Sequence, residues 1–573
     1  MDNRTIARTF LDIADLLELK GENAFKVRAY RGAADTVAGW PDAVARLDEP
    51  ALRELPGIGK DLAARIHELG TTGTCPLLES LRRDYPATIL DLLRLQGVGP
   101  KTVAMLYETL GIASVDALAD AARAGRLRQV KGMGAKKEAL ILKAIAERAK
   151  DSGRHLLAET DAVATELAGY LRAHDAAAEF IPVGSLRRGT ETCGDIDILA
   201  IGADTRTMDA FVGHPRVERV LGHGATKASV LLQGGYQADL RLVPPESRGA
   251  AMQYFTGSKA HNIALRDRAV ARGLKLNEYG LFRLDDDQPV AGPTEEGIYE
   301  ALGLRWVDPA LREHRGEIEA AEAGTLPALV VPGDLRGDLH MHTTETDGRD
   351  TLAAMADAAH RRGYEYVAIT EHSQALSMAN GLDERRALAH AARVRALGSR
   401  FEGLTLLAGI EVDILADGRL DLSDDCLAQL DLVVASVHSQ FSQDEARMTD
   451  RVLRALENPW VDVLGHATGR LLLKRDPVRL DVEGIVSAAA RHRVAIEINS
   501  QPSRLDVNDA HARLARERGV PLVISSDAHS VAELRNVEWG VRTARRAWAA
   551  PSDVLNTLPL AGLRSALRRH GGA

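Results

Sequence analysis

The chain contains 573 residues, of which 45% are hydrophobic and 27% are charged, and its formal net charge at pH 7 is −9. This length predicts several domains, and no apolar run approaches the roughly 18 residues of a bilayer-spanning helix, so we expect no membrane partner. Three scattered cysteines without a CxxC pair, and an N-terminus without signal-peptide features, lead us to expect a cytoplasmic protein.

The first 150 residues contain three copies of one short pattern, in which an apolar residue and a Gly-x-Gly turn precede an amphipathic helix. Glycines let the backbone approach a ligand, and the following helix N-terminus presents unpaired N–H groups to phosphate oxygens. One such turn is weak evidence, but three with the same flanks predict helix-hairpin-helix elements that bind a nucleic-acid backbone. The charge of this segment, 23 basic against 20 acidic residues, adds little evidence for nucleic-acid binding. The copies are LPGIGKDLAARI (55–66), LQGVGPKTVAMLY (95–107) and VKGMGAKKEALIL (130–142).

From about residue 155 the pattern changes to short alternating strands, followed by a helical piece around 260–272. In GSLRRGTETCGDIDIL (184–199), Asp195 and Asp197 are separated by one residue within an apolar run. Because successive side chains of a strand alternate between faces, the two carboxylates point the same way. Adjacent carboxylates are costly unless a cation lies between them, so this stretch predicts a metal site.

The stretch AAEAGTLPALVVPGD (320–334) is predicted to form a linker, and seven apolar runs follow it, each succeeded by a polar helical pattern. Repeated alternation of strand and helix predicts parallel strands with crossover helices, and seven repeats predict a barrel. A parallel barrel gathers the C-terminal ends of its strands on one face. Histidine and carboxylate residues lie at every one of these ends.

These strand-end residues predict a metal centre. A single histidine at a strand end is more often a hydrogen-bonded structural residue, but so many titratable groups cannot share an enclosed face without cations. Their number implies two or three metal ions, and clustered metals that activate water are typical of phosphoester hydrolysis. The residues are His340, His342, Asp347, Glu371, His372, Glu411, Asp413, His438, His466, Glu497, Asp527 and His529.

The motifs HMH, ITEHS, GIEVD, SVHS, LGHATG and SSDAHS resemble, in order over residues 334–573, those of the PHP (polymerase and histidinol phosphatase) domain. That resemblance implies a distorted seven-stranded α/β barrel with three divalent metals, and a complete ligand set implies an active hydrolase. We expect two to three ions, Mn²⁺ or Zn²⁺, since imidazole suits such metals. The implied ligands are His340, His342, Asp347, His372, Glu411, His438, His466, Asp527 and His529.

The opening stretch, with QADLRLV, YFTGSKAHNIALR (254–266) and LNEYGLF (276–282), resembles the family X DNA polymerases, the family of DNA polymerase beta. With the PHP-like half behind it, the whole chain resembles the bacterial type of this family, PolX. The implied fold class is multidomain α/β. The expected domains are an N-terminal 8-kDa-like helix-hairpin-helix domain (1–82), a thumb-like helix-hairpin-helix subdomain (83–150), an α+β nucleotidyltransferase palm (151–245), fingers (246–318), a linker (319–333) and a distorted (β/α)7 PHP barrel (334–573).

The same resemblance assigns roles to individual residues. Asp195, Asp197 and Asp239 would hold two Mg²⁺ or Mn²⁺ ions and carry out nucleotide addition. The residues implied in binding the incoming nucleotide are Gly184, Ser185 and Arg188 for the phosphates, Tyr254, Phe255 and Gly257 for the sugar, and Asn262 and Arg266 for the base-pair edge. The residues implied in DNA binding are Gly57, Gly59, Gly97, Gly99, Gly132, Gly134 and Lys26.

One position departs from the family pattern. The beta-type 5′-deoxyribose-phosphate lyase uses a lysine on the helix after the first hairpin, and this chain has Arg65 there. A guanidinium stays protonated and cannot form the Schiff base. Lys60 is near in sequence but lies about 140° around the helix, since each residue turns the helix by about 100°. We therefore do not expect lyase activity by that route.

The sequence predicts a monomeric gap-filling DNA polymerase of base excision repair. Its partners would be gapped or nicked DNA with a 5′-phosphate and deoxynucleoside triphosphates. The barrel would act as a metal-dependent 3′-5′ exonuclease, with AP endonuclease or other 3′-end processing as a further activity. The alternative makes the barrel a metal-stabilised scaffold without catalysis, which the complete ligand set disfavours. A small-molecule phosphatase is disfavoured because a DNA-binding chain would not serve that substrate.

Overall fold

The computed structural model describes residues 3–40, 44–72, 74–86, 89–93, 95, 98–130, 132–134, 137–142, 145 and 153–567. The chain divides into two compact units, residues 1–152 and 153–573. No helix within these described ranges is long and apolar enough to cross a membrane.

The first unit is helical, and its apolar residues form one core. Its two longest helices pair closely through their apolar faces, with the rings of Phe10 and Tyr30 in contact at a centroid distance of 5.3 Å. The described α-helices are Asn3–Leu19, Ala24–Gly39, Glu49–Arg53, Lys60–Thr72, Pro76–Asp84, Ile89–Leu93, Pro100–Leu110 and Val115–Arg123, and the 3-10 helices are Val44–Arg46 and Arg126–Gln129.

The three Gly-x-Gly turns share one geometry. The residue between the two glycines, which is Ile58, Val98 or Met133, is buried, and its N–H donates to the carbonyl three residues before it. Gly57 and Gly132 have φ of 75° and 82°, which a side chain would strain. A Cβ at Gly59, Gly99 or Gly134 would meet no atom within 4 Å, so these backbones are open to a ligand. Gly97 lies outside the described residues.

The palm-like region of the second unit is built on a five-stranded sheet. The short alternating strands predicted after residue 155 are present, and they include those within EFIPVGS, DIDILAIG and QADLRLV. In spatial order they are Glu179–Pro182, Asp195–Ile201, Tyr236–Val243, Lys227–Leu232 and Val217–His223, and only the pair Asp195–Ile201 with Tyr236–Val243 is parallel. The helices of this region are Leu157–His174, Gly184–Arg187 and Arg206–Val212, and Pro245–Ser247 is a 3-10 helix; strands His155–Leu156 and Thr192–Cys193 form a small separate pair.

The fingers-like region follows, with its own core around Leu265 and Tyr299. It contains helices Arg248–Thr256, Lys259–Ala271, Glu295–Ala301 and Glu317–Ala323, the 3-10 helix Pro309–Leu311, and a three-stranded antiparallel sheet of Leu274–Asn277, Gly280–Arg283 and Pro289–Ala291. The last helix overlaps the predicted linker 319–333, so only residues 324–331 run without regular structure. Even there Val330 is fully buried, and its N–H donates to the Ala549 carbonyl.

The predicted barrel is confirmed. Seven parallel strands follow one another in sequence order, and a bridge between Met341 and Ala528 brings the first and last strands together. One face of the strands packs on the surrounding helices, whereas Tyr366, Leu432, Val463 and others form an inner layer with the last helix. The strands are Gly337–Asp338, Tyr366–Ile369, Thr405–Asp413, Leu432–Ser436, Val463–Leu464, Ala495–Asn499 and Leu522–Ser525.

Helices connect these strands, precede the first of them or follow the last. The α-helices are Leu352–Arg361, Glu384–Gly398, Asp424–Leu427, Glu445–Glu457, Val482–His492, Asp509–Glu517, Val537–Arg546 and Leu560–Ala566, and the 3-10 helices are Pro332–Asp334, Ser377–Ala379, Val531–Asn536, Pro551–Asp553 and Leu555–Thr557. The barrel also contacts the palm-like region directly, because Leu472 and Leu505 from two barrel loops are buried in the palm-like core. The whole second unit therefore packs around connected cores.

Candidate metal centres

The carboxylate triad of the palm-like sheet is assembled by strand register. Asp197 and Asp239 are directly paired on the two parallel strands, and Asp195 lies two residues before Asp197 on the same face. Asp195 is exposed, Asp197 is half-buried and Asp239 is buried. The structure thus places the three predicted carboxylates at one edge of the sheet.

Burial and like charge make this edge a site for a cation. Burial, followed by the neighbouring carboxylates of Asp195 and Asp239, raises the pKa of Asp197 to about 7. A divalent cation would stabilise the ionised form of a buried carboxylate whose pKa is about 7 and which lies beside two others. The residues present therefore fit bound metal ions.

Lys227 is a neighbour of the triad that the sequence pattern did not single out. Its Nζ lies 2.9 Å from Oδ2 of Asp239, while Gln237 donates to Oδ1 at 3.4 Å. A sequence signal for this contact was available. A short hairpin joins strands Lys227–Leu232 and Tyr236–Val243, and its register places Lys227 beside the strand that carries Asp239. In this structure the ammonium group supplies part of the compensating charge.

The barrel centre is more compact. Each predicted ligand follows or ends a strand: His340 and His342 follow the first, His372 the second, and Glu411 lies near the end of the third. Among the described residues, the groups whose candidate ligand atoms all lie within 4.8 Å of one another are confined to the barrel. They are His342 with Asp347, His372 and His529; His340 with His342 and Asp527; and His372 with Glu411 and His438.

These three sets overlap at His342 and His372, and the ninth predicted ligand adjoins them. His466 Nε2 lies 2.8 Å from Oε1 of Glu411. Glu411, which is fully buried, faces four imidazoles within 3.6 Å besides His466: those of His340, His342, His372 and His438. The structure therefore brings all nine predicted residues into one cluster.

Several buried ligand atoms of this cluster make close contacts but form no hydrogen bond within the protein. Buried polar atoms are nearly always hydrogen-bonded, so orphaned ones indicate a missing ligand. Among the residues described, those without a hydrogen-bond partner include His340 Nε2, both ring nitrogens of His342, His372 Nδ1, His466 Nδ1 and Glu411 Oε2. Converging imidazole nitrogens and a carboxylate oxygen are the donor set for borderline divalent metals.

A second layer of carboxylates orients the imidazoles. The Nδ1–H of His340 donates to Glu497 at 2.7 Å, and Glu497 also accepts from the His466 backbone N–H at 2.7 Å. Asp413 lies 3.2 Å from Nδ1 of His438. Such partners fix the ring so that the other nitrogen faces the metal. The strand-end residues Glu497 and Asp413 therefore support the site from behind.

Carboxylates also hold protons on most of these imidazoles. Although burial opposes the charged form, Glu411 and Asp347 raise the pKa of His372 to about 9, Glu411 and Asp413 raise the pKa of His438 to about 10, and Asp347 and Asp527 raise the pKa of His529 to about 9. Burial and the neighbouring imidazoles instead lower the pKa of His342 to about 3. At neutral pH, protons therefore occupy places that a metal would take.

The predicted nucleotide-contacting residues lie beside the triad's sheet. Tyr254 and Phe255 contact edge to face at a centroid distance of 5.1 Å, and Arg266 is exposed on the following helix. Asn262 is engaged within the protein: its Nδ2 donates to the carbonyls of Tyr254 (2.7 Å) and Gly257 (3.2 Å). Asn262 thus braces the YFTG turn, and its contact with a base-pair edge stays a prediction.

In the first unit, Lys26 is exposed and lies 3.6 Å from Glu22. Arg65 is half-buried and its guanidinium lies near the Tyr30 hydroxyl, while Lys60 is exposed at the first residue of the same helix. The structure therefore separates Lys60 from the position that Arg65 occupies.

Five protein-family models match this chain. They are a helix-hairpin-helix domain (residues 1–75), a SAM-like helix-hairpin-helix tandem (89–147), DNA polymerase beta palm (157–230), DNA polymerase beta thumb (251–313) and PHP domain (338–501). The region that we describe as fingers-like thus corresponds to the model named thumb.

Relatives of known name match the whole chain or only its barrel. The DNA polymerase/3′-5′ exonuclease PolX of Bacillus subtilis (strain 168) is 36% identical over 573 residues, which cover 100% of both chains. A probable phosphatase of Thermoanaerobacter sp. (strain X514) is 29% identical over 231 residues, 38% of this chain and 89% of its own. A probable phosphatase of Shewanella sp. (strain ANA-3) is 27% identical over 242 residues, 40% and 91% respectively.

Loading the barrel with metal should release protons. Ligation requires neutral imidazole, and neighbouring carboxylates raise the pKa of four imidazoles, to about 9, 10 and 9 for His372, His438 and His529 and well above the usual value for His340, so we expect about four protons released per loaded cluster at pH 7.5. Calorimetric titration of the metal-free protein with Zn²⁺ or Mn²⁺ in buffers of different ionisation enthalpy measures this number. The Asp197→Asn variant removes the contribution of the triad. Binding without proton release would contradict the protonated state described above.

Proposed function

This chain belongs to the PolX family of DNA polymerases with 3′-5′ exonuclease activity, and on that premise we propose that it fills short gaps in DNA during base excision repair. Its substrates would be gapped or nicked DNA carrying a 5′-phosphate and deoxynucleoside triphosphates. The protein would act as a monomer in the cytoplasm, and Cys75, Cys193 and Cys426, which are buried and form no disulfide, are compatible with such a reducing compartment. The barrel would trim 3′ ends before or during filling.

We assign nucleotide addition to Asp195, Asp197 and Asp239. They would hold two Mg²⁺ or Mn²⁺ ions, which when bound lower the pKa of the primer 3′-OH and neutralise charge on the leaving pyrophosphate. The protein's own contribution is placement, because the parallel register keeps Asp197 opposite Asp239 before any substrate arrives. The raised pKa of Asp197, about 7, supports this assignment since the site favours a cation.

Gly184, Ser185 and Arg188 would bind the triphosphate. Arg188 Nη1 donates to the Thr256 carbonyl at 2.8 Å and Nε donates to Glu313 at 2.9 Å, while Nη2 has no partner among the described residues. A guanidinium held by two of its nitrogens keeps a third donor for phosphate oxygen in a fixed orientation. Tyr254, Phe255 and Gly257 would line the sugar, and Asn262 and Arg266 the edge of the new base pair.

The hairpin turns of the first unit would contact the DNA backbone. The support is the open surroundings of Gly59, Gly99 and Gly134. Their backbone conformation does not itself require glycine, so the absent side chain leaves room for close approach of a phosphate. Gly57, Gly97, Gly132 and Lys26 belong to the same proposed contact set. Such contacts read backbone and not bases, so binding would follow DNA structure and 5′-phosphate and not sequence.

The barrel would carry the nuclease. Its support is one observation: all nine ligand residues are present in a single, mostly buried cluster, several of whose ligand atoms form no hydrogen bond. We propose that it holds two to three Mn²⁺ or Zn²⁺ ions, which would supply a water of lowered pKa for attack on phosphorus. Cleavage would proceed from the 3′ end, and the same centre would incise abasic sites. A purely structural barrel is the alternative that the next experiment separates.

Reciprocal inactivation tests both assignments in the full chain. Asp197→Ala should reduce nucleotide addition to a 5′-phosphorylated one-nucleotide gap by at least about a thousandfold while 3′-end degradation continues, because the two centres use separate metals. His342→Ala with Asp527→Ala should do the reverse. Both reactions are followed on one labelled primer, with metal content measured alongside.

The outcomes distinguish the proposals. If Asp197→Ala extends the primer at the gap as well as the parent does, the assignment of nucleotide addition to the carboxylate triad is wrong. If the barrel variant loses metal yet degrades 3′ ends like the parent, the barrel is a scaffold and the nuclease lies elsewhere. If the parent fills gapped and ungapped primers equally well and is indifferent to the 5′-phosphate, the repair substrate is wrong although the polymerase assignment stands.

Gly184→Ala should impair polymerisation through Asp197. Gly184 has φ of 66°, and a Cβ there would lie 2.7 Å from Asp197 Oδ2, so the carboxylate must move. We expect gap filling to fall by about a hundredfold or more, since misplacement of a metal-binding carboxylate weakens transition-state stabilisation. Gly273→Ala is the matched control, because Gly273 has φ of 73° but no atom within 4 Å of the added Cβ. Equal losses in both variants would show backbone strain alone to be responsible.

A further inference from the structure

The barrel contributes a side chain to the neighbourhood of Arg188. Arg546 is the last residue of helix Val537–Arg546 and is 9% exposed. It lies where the barrel contacts the palm-like region. Its Nη1 donates to Glu313 Oε1 at 2.8 Å and to the Arg188 backbone carbonyl at 3.3 Å. Arg546 therefore touches both the main chain of Arg188 and the partner of its side chain.

Glu313 is shared by the two arginines. Its Oε1 accepts from Arg188 Nε at 2.9 Å and from Arg546 Nη1 at 2.8 Å, and its side chain is 17% exposed. Burial opposes ionisation, but the two guanidinium groups hold the pKa of Glu313 below its usual value. The carboxylate is therefore ionised at working pH, and its orientation depends on both arginines.

Arg546 is itself fixed on its other side. Its Nη2 donates to Asp509 Oδ2 at 2.8 Å, and Arg315 Nη1 reaches the same oxygen at 3.0 Å. The result is a chain of side chains of alternating charge that joins the palm-like region, the fingers-like region and the barrel. Its members, in order, are Arg188, Glu313, Arg546, Asp509 and Arg315. A half-buried charge chain of this kind has one favourable arrangement, because moving any member leaves another unpaired.

We propose that Arg546 of the barrel is a positioning residue for the polymerase reaction: through Glu313 and the Arg188 carbonyl it holds the Arg188 guanidinium in the orientation that binds the triphosphate. This inference rests on the proposed role of Arg188. It gives the barrel a second task, independent of its metals. The polymerase would then depend on a side chain that its own domains do not supply.

Neighbouring contacts provide matched controls. Arg545 precedes Arg546 on the same helix and also contacts a residue outside the barrel. Its Nη2 donates to Asp308 of the fingers-like region at 2.6 Å. Among the described residues, its side chain donates to the Val330 carbonyl and to Asp308, and it forms no hydrogen bond with Arg188 or Glu313. A role limited to holding the two regions together would make Arg545 and Arg546 equivalent, whereas positioning of Arg188 would not.

The experiment measures single-nucleotide insertion into gapped DNA by the full chain with Arg546→Gln, Arg546→Lys, Glu313→Gln, Arg545→Gln and Arg188→Gln. For Arg546→Gln we expect the KM for the nucleotide to rise about tenfold, with a smaller change in kcat, because a lost charge-assisted contact weakens phosphate binding. Arg546→Lys should recover part of the loss, and 3′-5′ exonuclease activity should change less than about twofold. Arg545→Gln should leave the nucleotide KM unchanged.

A double-variant cycle sharpens the test. Arg546→Gln and Glu313→Gln act through one guanidinium, so together they should cost little more than either alone, whereas independent effects would multiply. Equal KM increases in Arg545→Gln and Arg546→Gln, or an unchanged KM in Arg546→Gln, would overturn the inference. An unchanged KM in Arg188→Gln would instead overturn the proposed phosphate contact. If Arg546→Gln loses exonuclease activity through misfolding, Arg546→Lys and Glu313→Gln decide the question alone.

Discussion

Parallel strand pairing is the constraint on which both metal centres depend. In the palm-like sheet a single parallel pair sets Asp197 opposite Asp239, and a shift of one residue would turn one of these carboxylates to the other face. In the barrel, seven parallel strands end on one face, so ligands from residues 340 to 529 meet although they are far apart in sequence. The local sequence supplies the ligands, and the direction of the strands makes them converge.

Converged ionisable groups then create an electrostatic demand. The barrel cluster meets it with protons on the imidazoles and with buried carboxylates such as Glu411 and Asp527, whose pKa values their imidazole neighbours hold well below the usual range against the effect of burial. The triad meets it with a raised pKa at Asp197 and with Lys227 beside Asp239. In both places a divalent cation would replace an arrangement that is costly to bury, so metal affinity and folding are coupled.

The contact between the palm-like region and the barrel has a different character. It combines apolar residues, Leu472 and Leu505, with ion pairs that include Arg470 to Glu191 at 2.7 Å and Arg542 to Asp161 at 2.9 Å. Ion pairs of partly exposed side chains contribute modestly to stability but restrict geometry, since each requires one relative placement. Such an interface keeps the two candidate metal centres in a fixed relation, and one of its arginines, Arg546, also contacts the surroundings of Arg188.

The sequence by itself determined the fold class, the barrel and the identity of the candidate ligands, because these follow from periodicity and from short motifs whose spacing is local. DIDIL specified two carboxylates on one face, and the strand-end histidines specified a metal cluster. Only the tertiary structure decided what those groups touch. The Asn262 amide bonds to the YFTG turn, helix Glu317–Ala323 extends into the expected linker, and Lys227 pairs with Asp239. Arg188 and Arg546 are 358 residues apart, and their shared partner Glu313 belongs to no motif that the sequence analysis identified. Such contacts depend on the packing of whole elements, which no local pattern encodes.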